Sequence, residues 1–204
     1  GNEIPRQADI WIRRMIELSE NQPADDLMVN TFGSETAPIQ VTDIMQSEMG
    51  MPDSFLAGLF KLGSPLMQLY KTQANSRTDF NLEPDPYNQT TPKDMGTLLN
   101  AVYQCSVDAS RSNYQLPEGI SVGDCKYMLD RLTENKIGAL AEAGVPDGTR
   151  VAHKHGWTEE SDGFLHTISD VGVVFTPGGD YVYAIFLYQK SQLLFDLANA
   201  LIAR

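Results

Sequence analysis

The chain has 204 residues, 42% of them apolar, which is enough to bury a hydrophobic core, and its net charge is −12. Phosphate groups are bound by clustered Lys and Arg, so a chain this acidic argues against nucleic acids and anionic membranes as partners. The sequence has no apolar run of about 18 residues and no opening that resembles a signal peptide, so no membrane span is predicted.

The N-terminal part is predicted to form two helices joined by a tight turn. Apolar residues recur at helical spacing over residues 5–18, and a proline stands at the first position. Pro23 begins a second helix, and Gly33 stands where a left-handed residue would end it. Ser19 to Asn21 is therefore expected to form the turn between the helices.

The middle of the chain gives less regular signals. Thr42 is predicted to cap a short helix that ends at Gly50, and Asp53 to cap another that begins at Ser54. Residues 58–70 are apolar but interrupted by glycine and proline. They shape a substrate pocket or bind a partner in one interpretation. In the other, which is favoured because apolar stripes usually belong to the core, they form a packed helix pair.

The second half is predicted to contain two helices, a sheet and a final helix. Residues 75–92 are polar and hold three prolines, which is typical of a loop. Thr91 and Ser121 are each predicted to begin a helix. A last helix carries the five apolar residues Leu193, Leu194, Leu197, Leu201 and Ile202.

Three strands are expected, at roughly residues 149–157, 164–176 and 180–189, and none before residue 149. The last two strands carry apolar residues at both parities, which predicts burial on both faces. The connector from Pro177 to Asp180 has the length of a hairpin turn, so these strands are expected to be antiparallel neighbours.

Two short segments resemble motifs of the penicillin-recognising serine hydrolases. Residues 151–157 read Val-Ala-His-Lys-His-Gly-Trp, and the lysine and glycine around one polar residue resemble the Lys-Thr/Ser-Gly strand of that family. Far upstream, Ser19-Glu20-Asn21 resembles the family's Ser-Asp-Asn turn. The third motif, Ser-x-x-Lys, which carries the nucleophile, does not occur in these residues.

The chain is therefore identified as similar to the C-terminal part of the class A β-lactamase-like superfamily. That resemblance implies an α+β fold, an α/β/α sandwich with a helical subdomain, whose sheet is incomplete in this chain. It divides the chain into a helical subdomain with an omega-like loop at 1–120 and, at 121–204, a helix, three antiparallel strands and the C-terminal helix.

The resemblance also implies a set of site residues. Ser19 matches the serine that relays protons, and Asn21 the asparagine that orients the lysine and the substrate amide. Lys154 matches the lysine that stabilises an anionic substrate and the developing oxyanion, and Gly156 the glycine that lets the substrate backbone approach. The alternative for Ser19 and Asn21 is that they only cap helices.

Three further residues depart from the family pattern or match it loosely. His155 replaces the family's hydroxyl residue and would bind a substrate carboxylate through its imidazole. Glu83 lies in the omega-like loop, where a glutamate activates the deacylating water, and Asn88 matches the asparagine that helps it. Glu83 is one residue out of register with the family spacing, and the alternative is a solvated carboxylate.

Histidine and cysteine raise two other questions. His153 and His155 share a face of a regular strand, so a metal site with His166 as third ligand is an alternative, but the prediction is no metal and no cofactor. Cys105 and Cys125 form a disulfide if the protein is exported, or are two buried thiols.

The function implied by the resemblance is acyl-enzyme hydrolysis of a β-lactam or a related amide. The expected partners are a small β-lactam or peptidoglycan-like substrate and a missing N-terminal segment that carries the nucleophile, and a periplasmic or secreted location is implied. The alternatives are an inactive binding or structural module of the same fold and a peptidase of the D-Ala-D-Ala type. The chain by itself is expected to be inactive, because an unactivated hydroxyl is a poor nucleophile at neutral pH.

Overall fold

The computed structural model describes residues 4–77, 87–108, 116–135, 140–159 and 162–202. Helices and strands follow one another in the order α1 (Arg6–Glu17), α2 (Asn21–Phe32), α3 (Ala37–Ser47), β1 (Phe55–Leu56), β2 (Asn88–Gln89), α4 (Pro92–Val107), α5 (Val122–Thr133), a 3-10 turn (Leu140–Gly144), β3 (Arg150–Glu159), β4 (Leu165–Phe175), β5 (Tyr181–Tyr188) and α6 (Phe195–Ile202). No helix within the described ranges is long and apolar enough to cross a membrane.

The helices that carry local start and stop signals lie where they were predicted. Gly33 ends α2 in the left-handed conformation, with φ 65°. The Thr91 hydroxyl accepts from the backbone N–H of Asp94 at the start of α4, and Ser121 makes a capping box with Asp124 at the start of α5. These helix boundaries are therefore set by residues within one turn of each terminus.

The region around β1 differs from the prediction. Thr42 lies inside α3 rather than at its start, and its hydroxyl donates to the carbonyl of Pro38 and accepts from the N–H of Leu56. That contact holds β1 against α3, and β1 pairs antiparallel with β2. The predictions of a helix from Ser54 and of no strand before residue 149 are therefore wrong.

Residues 58–70 do not form the helix pair that was favoured. The segment is held instead by α2, because the buried carboxylate of Asp25 accepts from the backbone N–H groups of Phe60 and Lys61 at 2.8 and 2.9 Å. Backbone groups satisfied in this way do not need helical partners. The apolar composition of the segment gave no sign of this distant acceptor.

The three predicted strands form one antiparallel sheet in the order β3-β4-β5. One face packs on α4 and α5 through residues such as Leu99, Leu129 and Val171, and the other packs on α6 through Ile168 and Ala198. β4 is buried along most of its length, as expected. β5 is only half-buried, because among the described residues it pairs with β4 alone.

The two cysteines form a disulfide that joins α4 to α5, with Cys105 and Cys125 both buried. The bridge closes a loop between residues 20 positions apart. Because such a loop loses conformational freedom in the unfolded chain, the bridge is expected to add about 3 kcal/mol to the free energy of unfolding.

Reduction of the disulfide is therefore expected to lower the urea midpoint of the chain. Unfolding of the oxidised chain should be compared with that in the presence of a reductant. A variant with both Cys105→Ala and Cys125→Ala is the control, because its midpoint should not respond to the reductant. Equal midpoints for the oxidised and reduced wild-type chain would contradict the prediction.

Candidate active site

The turn between α1 and α2 meets the middle of β3 at one hydrogen bond. The ammonium of Lys154 donates to the hydroxyl of Ser19 at 2.6 Å and to the backbone carbonyl of His155 at 2.7 Å. Ser19 and Lys154 are 135 positions apart in the chain. The fold therefore brings together the two residues that the motifs single out as proton relay and cation.

Ser19 has a backbone conformation that is uncommon for its residue type. Its φ of 54° lies in the left-handed region, which costs a non-glycine residue roughly 1–2 kcal/mol. The turn is held by Arg14, whose carbonyl accepts from the N–H groups of Leu18 and Glu20. Arg14 also pairs through its guanidinium with the carboxylate of Glu20, the residue that stands in place of the family's aspartate. Strained positions of this kind concentrate at functional sites.

The environment of Lys154 has two opposing effects on its protonation. Burial lowers the pKa of its ammonium to about 8, and the negative charge of Asp170 opposes that shift. The group is therefore a cation at neutral pH and becomes neutral in mildly alkaline solution. A cation in this position attracts an anionic substrate group and stabilises negative charge that develops during acyl transfer.

His155 does not join this site with its side chain. Successive residues of a strand point to opposite faces, and the imidazole of His155 is 2% exposed and stacks on Trp157 with ring centroids 5.2 Å apart. Burial, and then the charge of Lys154, lower the pKa of His155 to about 4, so the ring is neutral at pH 7. The predicted contact of this ring with a substrate carboxylate is not supported; only its carbonyl reaches Lys154.

The other predicted residues have separate positions. Asn21 is the exposed first residue of α2, two residues from Ser19. Gly156 lies opposite Ser169 on β4, and a Cβ at Gly156 would lie 3.3 Å from the hydroxyl of Ser169. Asn88 lies on β2 opposite Leu56, with its side-chain oxygen buried.

The structure places Asn88 in a groove that neither Ser19 nor Lys154 lines. Asn88 helps to line a groove of about 320 Å³ together with residues 59–64 and Tyr87. Glu83 lies outside the described residues, so its predicted role as deacylation base stays a prediction.

Two polar residues next to the site were missed by the sequence analysis. Asp170 is completely buried on β4, and Asn135 lies just beyond α5 with its amide nitrogen close to His153 and His155. The signal for Asp170 was an acidic residue in the middle of a predicted apolar strand, because a buried charge persists only with dedicated partners. For Asn135 no local signal existed, since its contacts depend on how α5 docks on the sheet.

The histidines do not converge as metal ligands in the described part of the chain. His166 contacts Asp162 and the carbonyl of Gln189, whereas His153 contacts Asp170. No group of three residues suited to bind a metal is found among the described residues.

A model of the beta-lactamase enzyme family matches residues 8–204. The chain belongs to this family. None of the curated protein sequences compared with the chain is significantly similar to it. The family assignment agrees with the motif resemblance and with the Ser19–Lys154 contact.

Solved structures show the same fold for this β-lactamase-family chain. A β-lactamase from Chitinophaga pinensis has a TM-score of 0.65 at 16% identity, covering 100% of this chain and 63% of its own. An ancestral class A β-lactamase has a TM-score of 0.64 at 24% identity, with coverages of 96% and 62%. The protein PBP-A has a TM-score of 0.63 at 19% identity, with coverages of 96% and 57%. The chain thus spans about three fifths of these structures.

Proposed function

We propose that this β-lactamase-family chain contributes the proton relay and the substrate-binding cation of a serine hydrolase that acts on a β-lactam or a related amide. The observation that carries the proposal is the hydrogen bond from the Lys154 ammonium to the Ser19 hydroxyl at 2.6 Å. The nucleophilic serine is supplied by a segment outside these residues, because Ser-x-x-Lys does not occur among them.

The direction of that hydrogen bond suits proton transfer. The Lys154 ammonium can only donate hydrogen bonds, so the Ser19 oxygen is the acceptor. The hydroxyl hydrogen of Ser19 therefore remains available to another group. During acylation the nucleophile oxygen forms a bond to the carbonyl carbon and the carbon–nitrogen bond breaks. Ser19 gives its proton to the leaving nitrogen and takes up the proton that the nucleophilic hydroxyl loses, so that it ends as a neutral hydroxyl. Lys154 holds the serine oxygen in place and stabilises the negative charge that develops at it.

Two surfaces support an additional segment beside the sheet. Among the described residues the outer edge of β5 has no strand partner, and open strand edges are normally paired or covered. Leu194, Leu197 and Leu201 are 59%, 41% and 53% exposed at or near α6, although Ala198 and Ile202 of the same helix are buried in the core. A helix that is apolar on both sides is typically covered on both.

A penicillin-binding peptidase of the D-Ala-D-Ala type is the second candidate function. A structural match favours it, because a mutant of PBP-A, with a TM-score of 0.63 and 21% identity to this chain, has been solved as an acyl-enzyme complex with penicillin G. An inactive module remains the outcome if no nucleophile accompanies the chain. The disulfide favours an oxidising, exported location for any of these functions.

Labelling with a fluorescent penicillin is the test of this proposal. We expect no covalent label on the 204-residue chain and a stable or transient label once the native upstream segment is restored. Ser19→Ala in the restored protein should lower the labelling rate at least about 100-fold, the usual contribution of a proton-transfer group. Ser47→Ala, which removes an exposed hydroxyl from α3, is the matched control and should label normally.

The fate of the label separates the candidate functions. Rapid release with turnover of a chromogenic cephalosporin indicates a β-lactamase, whereas a label that persists for hours indicates a penicillin-binding peptidase. A label on the 204-residue chain that survives Ser19→Ala would contradict the proposal, as would a restored protein that never acquires one.

A further inference from the structure

A fully buried carboxylate lies on the face of the sheet opposite the Lys154 side chain. Asp170 is 0% exposed and accepts three hydrogen bonds, from His153 Nδ1 at 2.9 Å, from the backbone N–H of Ala141 at 3.0 Å and from the hydroxyl of Tyr183 at 3.2 Å. These donors come from β3, the 3-10 turn and β5. Asp170 therefore ties the central strand to three neighbouring parts of the fold.

A second polar group completes the connection to α5. The side-chain nitrogen of Asn135 lies 3.2 Å from His153 Nε2 and 2.9 Å from His155 Nδ1. Asn135 follows the end of α5 by two residues. One amide group thus contacts both histidines that flank Lys154 in the sequence.

The hydrogen bonds assign a definite tautomer to each imidazole. An ionised Asp170 only accepts, so Nδ1 of His153 carries the hydrogen and Nε2 is left as an acceptor. The Asn135 amide has two hydrogens, one for His153 Nε2 and one for His155 Nδ1. His155 must then carry its hydrogen on Nε2.

This arrangement acts on the backbone of the residue between the histidines. Because neighbouring strand residues alternate in direction, both rings hold β3 from one face while the ammonium of Lys154 extends from the other. The His155 carbonyl, which accepts from that ammonium at 2.7 Å, belongs to the same held segment. The position of the ammonium relative to Ser19 thus depends on the contacts behind the strand.

We propose that Asp170, His153 and Asn135 form a positioning clamp that holds the Lys154 ammonium against Ser19 and helps to keep it charged. The three residues act through Lys154 and do not themselves contact a substrate. The role of Lys154 rests on the proposed function, but the clamp itself is tested on the chain without any substrate.

Asp170 is the charge that can act on Lys154 in this way. Its negative charge favours the ammonium form, against the effect of burial. Other nearby charges have partners of their own: Glu20 with Arg14 in the turn, and Arg131 of α5 with Glu17 of α1. On β3 itself, His155 carries no charge at pH 7.

Two acidic groups remain near β3 and the clamp. Asp130 on α5 pairs with Arg150 on β3 at 2.7 Å. Glu142 on the 3-10 turn lies 3.8 Å from His153 Nε2, on the side of the sheet away from the lysine side chain. Removal of the Asp170 charge should therefore shift the Lys154 titration, and removal of the Asp130 charge should not.

The test is nuclear magnetic resonance on the 204-residue chain, with its three histidines assigned by substitution. Imidazole 15N shifts at pH 7 should show a hydrogen on Nδ1 of His153 and on Nε2 of His155. A lysine 13C titration, assigned with Lys154→Arg, should show the Lys154 midpoint in Asp170→Asn at a pH lower by about 1 than in the wild type. Asp130→Asn is the matched control and should leave both readouts unchanged.

Asn135→Ala gives an independent arm that keeps the Asp170 charge. It should leave His153 with its hydrogen on Nδ1 but release His155 Nδ1, so that the His155 ring populates both tautomers.

If Asp170→Asn does not fold, Asn135→Ala and Tyr183→Phe carry the test. The opposite tautomer at either histidine, or a folded Asp170→Asn with an unchanged Lys154 midpoint, would overturn the clamp. Neither result depends on whether the restored protein labels with penicillin, so failure of the clamp and failure of the proposed function are distinguishable.

Discussion

Lys154→Met is expected to raise the free energy of unfolding at pH 7 while it removes the positive charge from the candidate site. The pKa of the lysine falls from 10.5 to about 8 on folding because the ammonium is buried. This difference in pKa destabilises the folded state by about 3 kcal/mol below pH 8, where the lysine is protonated in both the folded and the unfolded chain. The variant also loses the hydrogen bonds to Ser19 and His155, which lowers its free energy of unfolding by about 1 kcal/mol for each bond. A net increase of about 1 kcal/mol in the free energy of unfolding therefore remains.

The sign of the pH dependence makes this prediction specific. Between pH 8 and 10.5 the unfolded chain binds more protons at this residue than the folded chain, so the wild-type chain gains stability as the pH rises through that window. Urea unfolding at several pH values should therefore show an advantage of Lys154→Met that disappears by about pH 10.5, where the variant should instead be the less stable protein. Lys126→Met, on the exposed side of α5, should show neither effect.

A stabilising substitution at Lys154 would also bear on function. Residues that cost stability and remain in a protein are typically those that the activity needs. If the proposed function holds, Lys154→Met in a protein that also carries the nucleophile should lose affinity for anionic β-lactams although it is more stable. If Lys154→Met instead destabilises the chain at pH 7, the lysine serves the fold and the proposed site loses its main support.

The sequence predicted the parts of the fold whose signals are local. Thr91 and Ser121 cap α4 and α5 as expected, and the three strands of the sheet lie within a few residues of their predicted bounds. The motif resemblance also singled out Ser19 and Lys154, which the fold places in hydrogen-bond contact although no local pattern brings them together. Here the family likeness supplied the long-range information that a single sequence lacks.

Most of the sequence-based predictions that failed have one physical cause: a residue far away in the chain provides a partner that overrides the local signal. Asp53 resembles a helix cap, but its carboxylate accepts from the N–H of Ala74, and its own N–H donates to Asp94. At the site, strand alternation alone places the side chains of Lys154 and His155 on opposite faces of β3, whereas the motif resemblance implied that both side chains contact the substrate. The contacts of Asn135 follow from the docking of α5 and carried no signal in the sequence.

Asp94 offers the sharpest comparison between a distant and a local partner. It is the third residue of α4, and its fully buried carboxylate accepts from the backbone N–H of Asp53 at 2.9 Å and from the Ser54 hydroxyl at 2.8 Å. Asp124 is the third residue of α5, but its carboxylate is only partly buried and returns to the local cap residue Ser121. Both helices thus begin with a hydroxyl cap and an aspartate, and only Asp94 holds a segment 41 positions away.

Asp94→Ala is therefore expected to lower the free energy of unfolding by about 3 kcal/mol, because it leaves the N–H of Asp53 without its acceptor, removes one of the two hydrogen bonds of the Ser54 hydroxyl and takes a negative charge from a helix N-terminus. Asp124→Ala should cost only about 1 kcal/mol, the usual loss of a cap. Urea unfolding of both variants measures the difference, and Asp94→Asn, which keeps an acceptor without the charge, should lie between them. Equal losses for Asp94→Ala and Asp124→Ala would show that the Asp53–Asp94 contact contributes nothing, and that β1 is held at α4 by its apolar packing alone.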